Sequence, residues 1–96
     1  MTHLAGFDDS TGEAGIAVLG DGFVRLDGER VPLEAAVLTL RQRVRVMDEE
    51  ELSGFVVKIA ADPVGEEAAV SERISAGVNR LMSELQIMGV LWVRYL

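Results

Sequence analysis

The sequence predicts an α+β fold: a small sheet in ββαβαβ order with two helices packed on one face. Three observations carry that expectation. Across 15–28, apolar residues alternate in twos around Gly20-Asp21-Gly22, as they do in a strand hairpin. The rhythm turns helical at Pro32, strand-like again at 55–63, helical once more, and strand-like over 90–96. With 96 residues, 49% of them hydrophobic, the chain is long enough for one modest core.

The first strand, 16–19, places Ile16 and Val18 on one face and Ala17 and Leu19 on the other. Gly20-Asp21-Gly22 supplies the positive φ values of a tight hairpin. In the return strand, 23–26, Val24 and Leu26 point inward, and Asp27-Gly28 reads as a second turn before Val31 and Pro32 lead into a helix. Pro32 sits near the first turn of that helix, where a missing N–H costs nothing, and Glu34 lies at the positive end of the dipole.

The first helix carries an apolar stripe of Leu33, Val37, Leu40, Val44 and Met47, with Ala36 beside it. The acidic run 48–51 falls at its C-terminal end, where the dipole favours cations. Fraying into a loop through Ser53-Gly54 is therefore expected. Residues 55–61 are β-branched and almost wholly apolar, the pattern of a central strand, ended by Asp62-Pro63. The second helix has its stripe at Val70, Ile74, Val78, Leu81, Leu85 and Met88, with Ser71, Glu72, Ser75, Asn79, Arg80 and Glu84 on or near the other side. Gly89 is placed to end it in the left-handed conformation.

Sixteen acidic against nine basic residues give a net charge of −7, which argues against a nucleic-acid partner. Arg41, Arg43 and Arg45 fan around a helix and form no patch; they are expected to be solvated charges balancing 48–51. Without cysteine there is no disulfide, thiolate site or thiol nucleophile. His3, the only histidine, lies in a polar stretch, 1–14, that reads as a flexible leader to a single domain at 15–96. The acidic pairs and runs lack calcium-loop spacing, and Gly20-Asp21-Gly22 is followed by a strand where a phosphate loop needs a helix. Met47, Met82 and Met88 read as core fillers. No catalytic, cofactor-binding or metal-ligating residue is nominated, and the chain is expected not to be an enzyme.

The order of the pieces does point to a family. DGFVRLDGERVPLEAAVLTL (21–40), VVKIAADP (56–63) and LMSELQIMGVLWVRYL (81–96) resemble the extramembrane domain of the ExbD/TolR biopolymer-transport proteins. Asp27-Gly28 matches the family's second turn, Leu33-Glu34 its helix opening, Ala61-Asp62 its post-strand turn and Met88-Gly89-Val90 the junction into its last strand. The likeness spans 15–96. Two departures stand out: the family's N-terminal membrane helix, whose aspartate serves proton-driven work, has no counterpart here, and 62–81 is longer through an insertion around 65–67.

The resemblance implies a periplasmic, non-enzymatic domain tethered to the inner membrane by a helix outside this chain. It also implies a homodimer, an ExbB/TolQ-like membrane channel and a TonB- or TolA-like protein as partners, and peptidoglycan as a further contact. Independently of the family, the last strand has no tail to cover it and would be free to pair if it lies at the sheet edge. Leu91, Val93 and Tyr95 are the candidate contact residues, and Trp92 serves either as an anchor there or as a cap on the core. The alternative is a soluble cytoplasmic domain that binds a small ligand or regulates a partner.

Overall fold

The computed structural model describes residues 12–65 and 67–96. Its elements run β1 (Glu13–Val18), β2 (Phe23–Leu26), β3 (Glu29–Pro32), α1 (Leu33–Arg45), α2 (Glu49–Ser53), β4 (Val56–Ala61), α3 (Ala68–Met88) and β5 (Trp92–Tyr95). The strands form one mixed sheet in the order β3-β2-β1-β4-β5. The β1–β2 and β2–β3 pairs are antiparallel, and the β1–β4 and β4–β5 pairs are parallel. The α+β class is as the sequence predicts. No helix among the described residues is long and apolar enough to cross a membrane.

Alternation along each strand selects one face for burial. Ala14, Ile16 and Val18 of β1, Val24 of β2, and Val57 and Ile59 of β4 pack against Ala36, Val37 and Leu40 of α1 and Val70, Ile74, Leu81 and Leu85 of α3. Both helical stripes thus meet the same side of the sheet. Each large side chain fully buried there stabilises by about 1.5–3 kcal/mol before its ordering entropy is set against it. Among the described residues no helix covers the other side, along whose centre lie Gly15, Ala17, Lys58 and Ala60.

Four expectations need correction. The domain begins earlier than residue 15: Glu13 and Ala14 belong to β1, and Ala14 is buried. The rest of the expected leader, 1–11, including His3, lies outside the described residues. Second, Asp27-Gly28 does more than turn the chain. With φ of 50° and 93°, the two residues form the hairpin loop that returns β3 along β2. The polar makeup of β3, with Glu29, Arg30 and Pro32, hid it.

Third, the acidic run does not fray from α1. That helix closes at Val46 and Met47, whose N–H groups donate to Arg43 O and Val44 O, the tightened turn of a helix end. Asp48 then opens the one-turn α2. Its side chain accepts from the Glu51 N–H, while the Glu51 carboxylate accepts from the Asp48 N–H. In this capping box the acids lie at a helix N-terminus, where the dipole favours them. Fourth, Met82 is exposed on α3, whereas Met47 and Met88 do pack against the core.

The first hairpin gives a sharp test of local geometry. Gly20 and Gly22 have nearly equal φ, 88° and 89°, but different surroundings. A Cβ on Gly20 would lie 2.6 Å from Val70 Cγ1 and 3.0 Å from Val70 O, whereas one on Gly22 would meet nothing within 4 Å. Gly22→Ala should cost about 1 kcal/mol, the backbone term alone. Gly20→Ala should cost roughly 1–3 kcal/mol more through the overlap with α3. Urea unfolding of both variants checks this, and equal losses would refute the close approach.

Candidate functional site

Strand order leaves two margins, β3 and β5. The β3 margin is defended: Glu29 and Arg30 charge it, Pro32 has no N–H to offer, and the chain enters α1 at once. Among the described residues β5 carries a single charge, Arg94, and no proline. Its sequence is WVRY, and Leu91, Trp92, Tyr95 and Leu96 are 59–69% exposed. Ile87, in the last turn of α3, adds further exposed apolar surface.

The geometry of β5 follows from its pairing. Val57 aligns with Val93, and Ile59 with Tyr95, so Val93 and Tyr95 share the helix-covered face, and Leu91 directly precedes the strand. Val93 is partly buried against the core. Trp92, Arg94 and Leu96 stand on the uncovered face. The Leu96 N–H donates to Ile59 O at 2.8 Å. Because backbone groups alternate along a strand, Trp92 and Arg94 also turn their N–H toward β4, whereas Val93 and Tyr95 turn theirs outward.

Of the three residues nominated from sequence, Leu91 and Tyr95 therefore present side chains, while Val93 presents its backbone. Trp92 and Leu96 join them. The Trp92 indole is held in place, its Nε1 donating to Ser53 O at 2.8 Å. That carbonyl belongs to α2, which is fixed by its capping box and by Leu52 packing beneath Gly89. Gly89, at φ 87°, delivers the chain from α3 into β5.

A second arrangement ties the helices that carry the sheet. Glu84 is only 7% exposed and lies on the line Gly77, Leu81, Glu84, Met88, so spacing could have assigned it to the buried side of α3. Its carboxylate accepts from Arg41 Nη2 of α1 at 2.6 Å and from Arg80 of α3. Arg80 also forks onto Glu34 at 2.8 and 3.1 Å. Arg41 is thus a bridge between helices, not a solvated charge facing 48–51. Arg43, likewise, stacks 4.8 Å from the Phe55 ring centroid.

The uncovered sheet face has a shallow depression of about 370 Å³, floored by Gly15, Ala17 and Ala60 and rimmed by Arg25, Asp27, Lys58 and Asp62. Its cations are engaged, Arg25 with Asp62 at 2.5 Å and Lys58 with Glu13 at 3.3 Å. Among the described residues no group of three or more His, Cys, Asp or Glu side chains is placed to hold a metal ion. The chain matches no family model, no curated protein and no solved structure.

The ionic bridge sets an acid response. Hydrogen bonds from Arg41, then Arg80, hold the Glu84 carboxyl below its ordinary 4.5, and Arg80 does the same to Glu34. A carboxyl with a lowered folded value contributes fully above its unfolded value and loses that contribution as pH falls through the folded one. Stability to urea should therefore decline as pH drops below 4.5. Glu84→Gln should lower the midpoint at neutral pH and flatten the acid slope. A variant as acid-sensitive as the wild type would contradict this role.

Proposed function

We propose that this chain is a non-enzymatic interaction domain of a proton-motive-force-driven transport complex of the ExbD/TolR kind, acting in the periplasm as a homodimer. The observation that carries the reading is the margin at β5, where exposed aromatic and aliphatic side chains flank outward-facing backbone groups. An apolar, unpaired strand end of this sort invites strand addition by another chain.

The four junctions of the resemblance support the family reading, since each falls at an element boundary. Asp27-Gly28 is the β2–β3 loop, Leu33-Glu34 opens α1, Ala61-Asp62 closes β4, and Met88-Gly89-Val90 joins α3 to β5. In that setting the domain performs no chemistry. It holds a second copy, a TonB- or TolA-like protein or peptidoglycan in register with an ExbB/TolQ-like channel. The soluble small-ligand alternative would use the uncovered face. There a charged ligand would have to displace Asp62 from Arg25 or Glu13 from Lys58, which makes that reading the weaker one.

Light scattering on the wild type and on Val93→Pro tests the proposal. The wild type should be dimeric at high micromolar concentration. Proline removes an outward N–H from each copy and leaves the β4–β5 ladder intact. At about 1 kcal/mol per lost hydrogen bond, two lost bonds should weaken dimerisation roughly thirtyfold. A monomeric wild type rejects the proposal, and a proline variant that folds and dimerises unchanged exonerates β5.

A further inference from the structure

We infer that the uncovered face of the sheet holds a binding site for a small zwitterion of the α-amino acid class, seated over Gly15 between Asp27 and Lys58. The site is separate from the β5 margin and adds to the function proposed there. Its first mark is a glycine with no structural reason. Gly15 lies inside β1, between β2 and β4, and glycine in a strand interior weakens the strand. Its φ is not positive. The pairing runs through it without a bulge, Ala14, Gly15 and Ile16 against Val57, Lys58 and Ile59. A Cβ there would meet only Asp27 Oδ1, at an ordinary 3.5 Å. Neither backbone nor packing asks for glycine, which leaves the close approach of a ligand as the reason for it.

An unpaired oxygen stands beside that glycine. Asp27 lines the depression and accepts from the Gly15 N–H through Oδ1 at 2.8 Å. Its Oδ2 is buried and has no hydrogen-bond partner among the described residues. Such atoms are rare in folded proteins, and each calls for a donor. On the opposite flank Lys58 aligns with Gly15. A carboxylate and an ammonium thus border one slot, on strands two spacings or about 10 Å apart, with no Cβ between them.

Charge then selects the ligand. The Arg25–Asp62 pair, at 2.5 Å, is closed. The Lys58–Glu13 pair is longer, 3.3 Å, and both its side chains are partly exposed, so displacing Glu13 costs little. A simple anion entering the slot meets Asp27, and a simple cation meets Lys58. A molecule carrying both charges on one carbon answers both. Its ammonium bonds to Oδ2 after a slight turn of the Asp27 carboxyl about its bond to Gly15. Its carboxylate takes Glu13's place on Lys58 Nζ, and an apolar side chain lies over Ala17 and Ala60.

Titration with L-leucine, L-leucine methyl ester and N-acetyl-L-leucine, followed by backbone amide resonances, tests the site. L-Leucine should move the Gly15 amide and saturate with a Kd on the order of 1 mM, as two charge-assisted bonds at an open site allow. The ester lacks the carboxylate and the acetyl compound lacks the ammonium, so each should bind at least about tenfold more weakly. Gly15→Val suits a strand, fills the slot and should abolish the shifts. Asp27→Asn, which keeps an acceptor for the Gly15 N–H, and Lys58→Gln should each weaken binding about tenfold. Glu13→Gln frees Lys58 and should tighten it. Should Gly15→Val fail to fold, Lys58→Gln, at a partly exposed position, carries the test. No saturable shift with L-leucine, equal binding of all three compounds, or binding indifferent to Lys58→Gln overturns the inference.

Discussion

The parallel contact between β1 and β4 is the constraint from which the rest of the architecture follows. Each of these strands is six residues long, and they pair along their whole length, from Glu13 with Val56 to Val18 with Ala61. Parallel neighbours cannot be joined by a tight turn, so the chain between them must cross over. It spends that length on the β2–β3 hairpin and on α1. The step from β4 to β5 is again parallel and again needs a helix, α3. Both crossovers move the sheet in the same direction. With the usual right-handed sense, two such crossovers put their helices on the same face. One face without a helix, among the described residues, therefore follows from the strand order.

A single-faced sheet must keep its two helices in register with each other as well as with the strands. Apolar stripes do this loosely, since contact between them is non-directional. The Glu84 carboxylate supplies direction. It sits where α1 and α3 approach and accepts from a guanidinium on each, and Arg80 extends the link to Glu34. Burying a carboxylate is costly unless charge-assisted bonds compensate it, and two arginines do so here. The helical layer is thereby fixed along its axes, and with it the level at which α3 releases the chain into β5.

How much of this was legible in the residues depends on the kind of signal each element carries. Both helical stripes, the central strand at β4 and the positive φ of Gly20, Gly22 and Gly89 follow from local periodicity and turn chemistry, whereas the marginal position of the last strand comes from the order of the sheet. β3 was missed because its residues have little preference for a strand; it forms because Asp27 and Gly28 fold the backbone onto β2. α2 was missed because acids were weighed against the end of α1, when Asp48 and Glu51 were the reciprocal pair of a new start. Glu84 was misassigned because its type outweighed its spacing. In the nominated edge, Val93 and Tyr95 lie in β5 and Leu91 directly before it, but periodicity cannot say which of them the core has already claimed.

The bond from Trp92 Nε1 to Ser53 O has a consequence of its own. This is the only tryptophan in the chain, so the molecule's entire indole fluorescence originates at the margin of the sheet and is fixed relative to one carbonyl. Emission from a half-wet ring moves to shorter wavelength as neighbouring water is expelled, and a nearby guanidinium alters its intensity. Arrival of any chain at this margin is thus written into the protein's native optical signal, with no label attached.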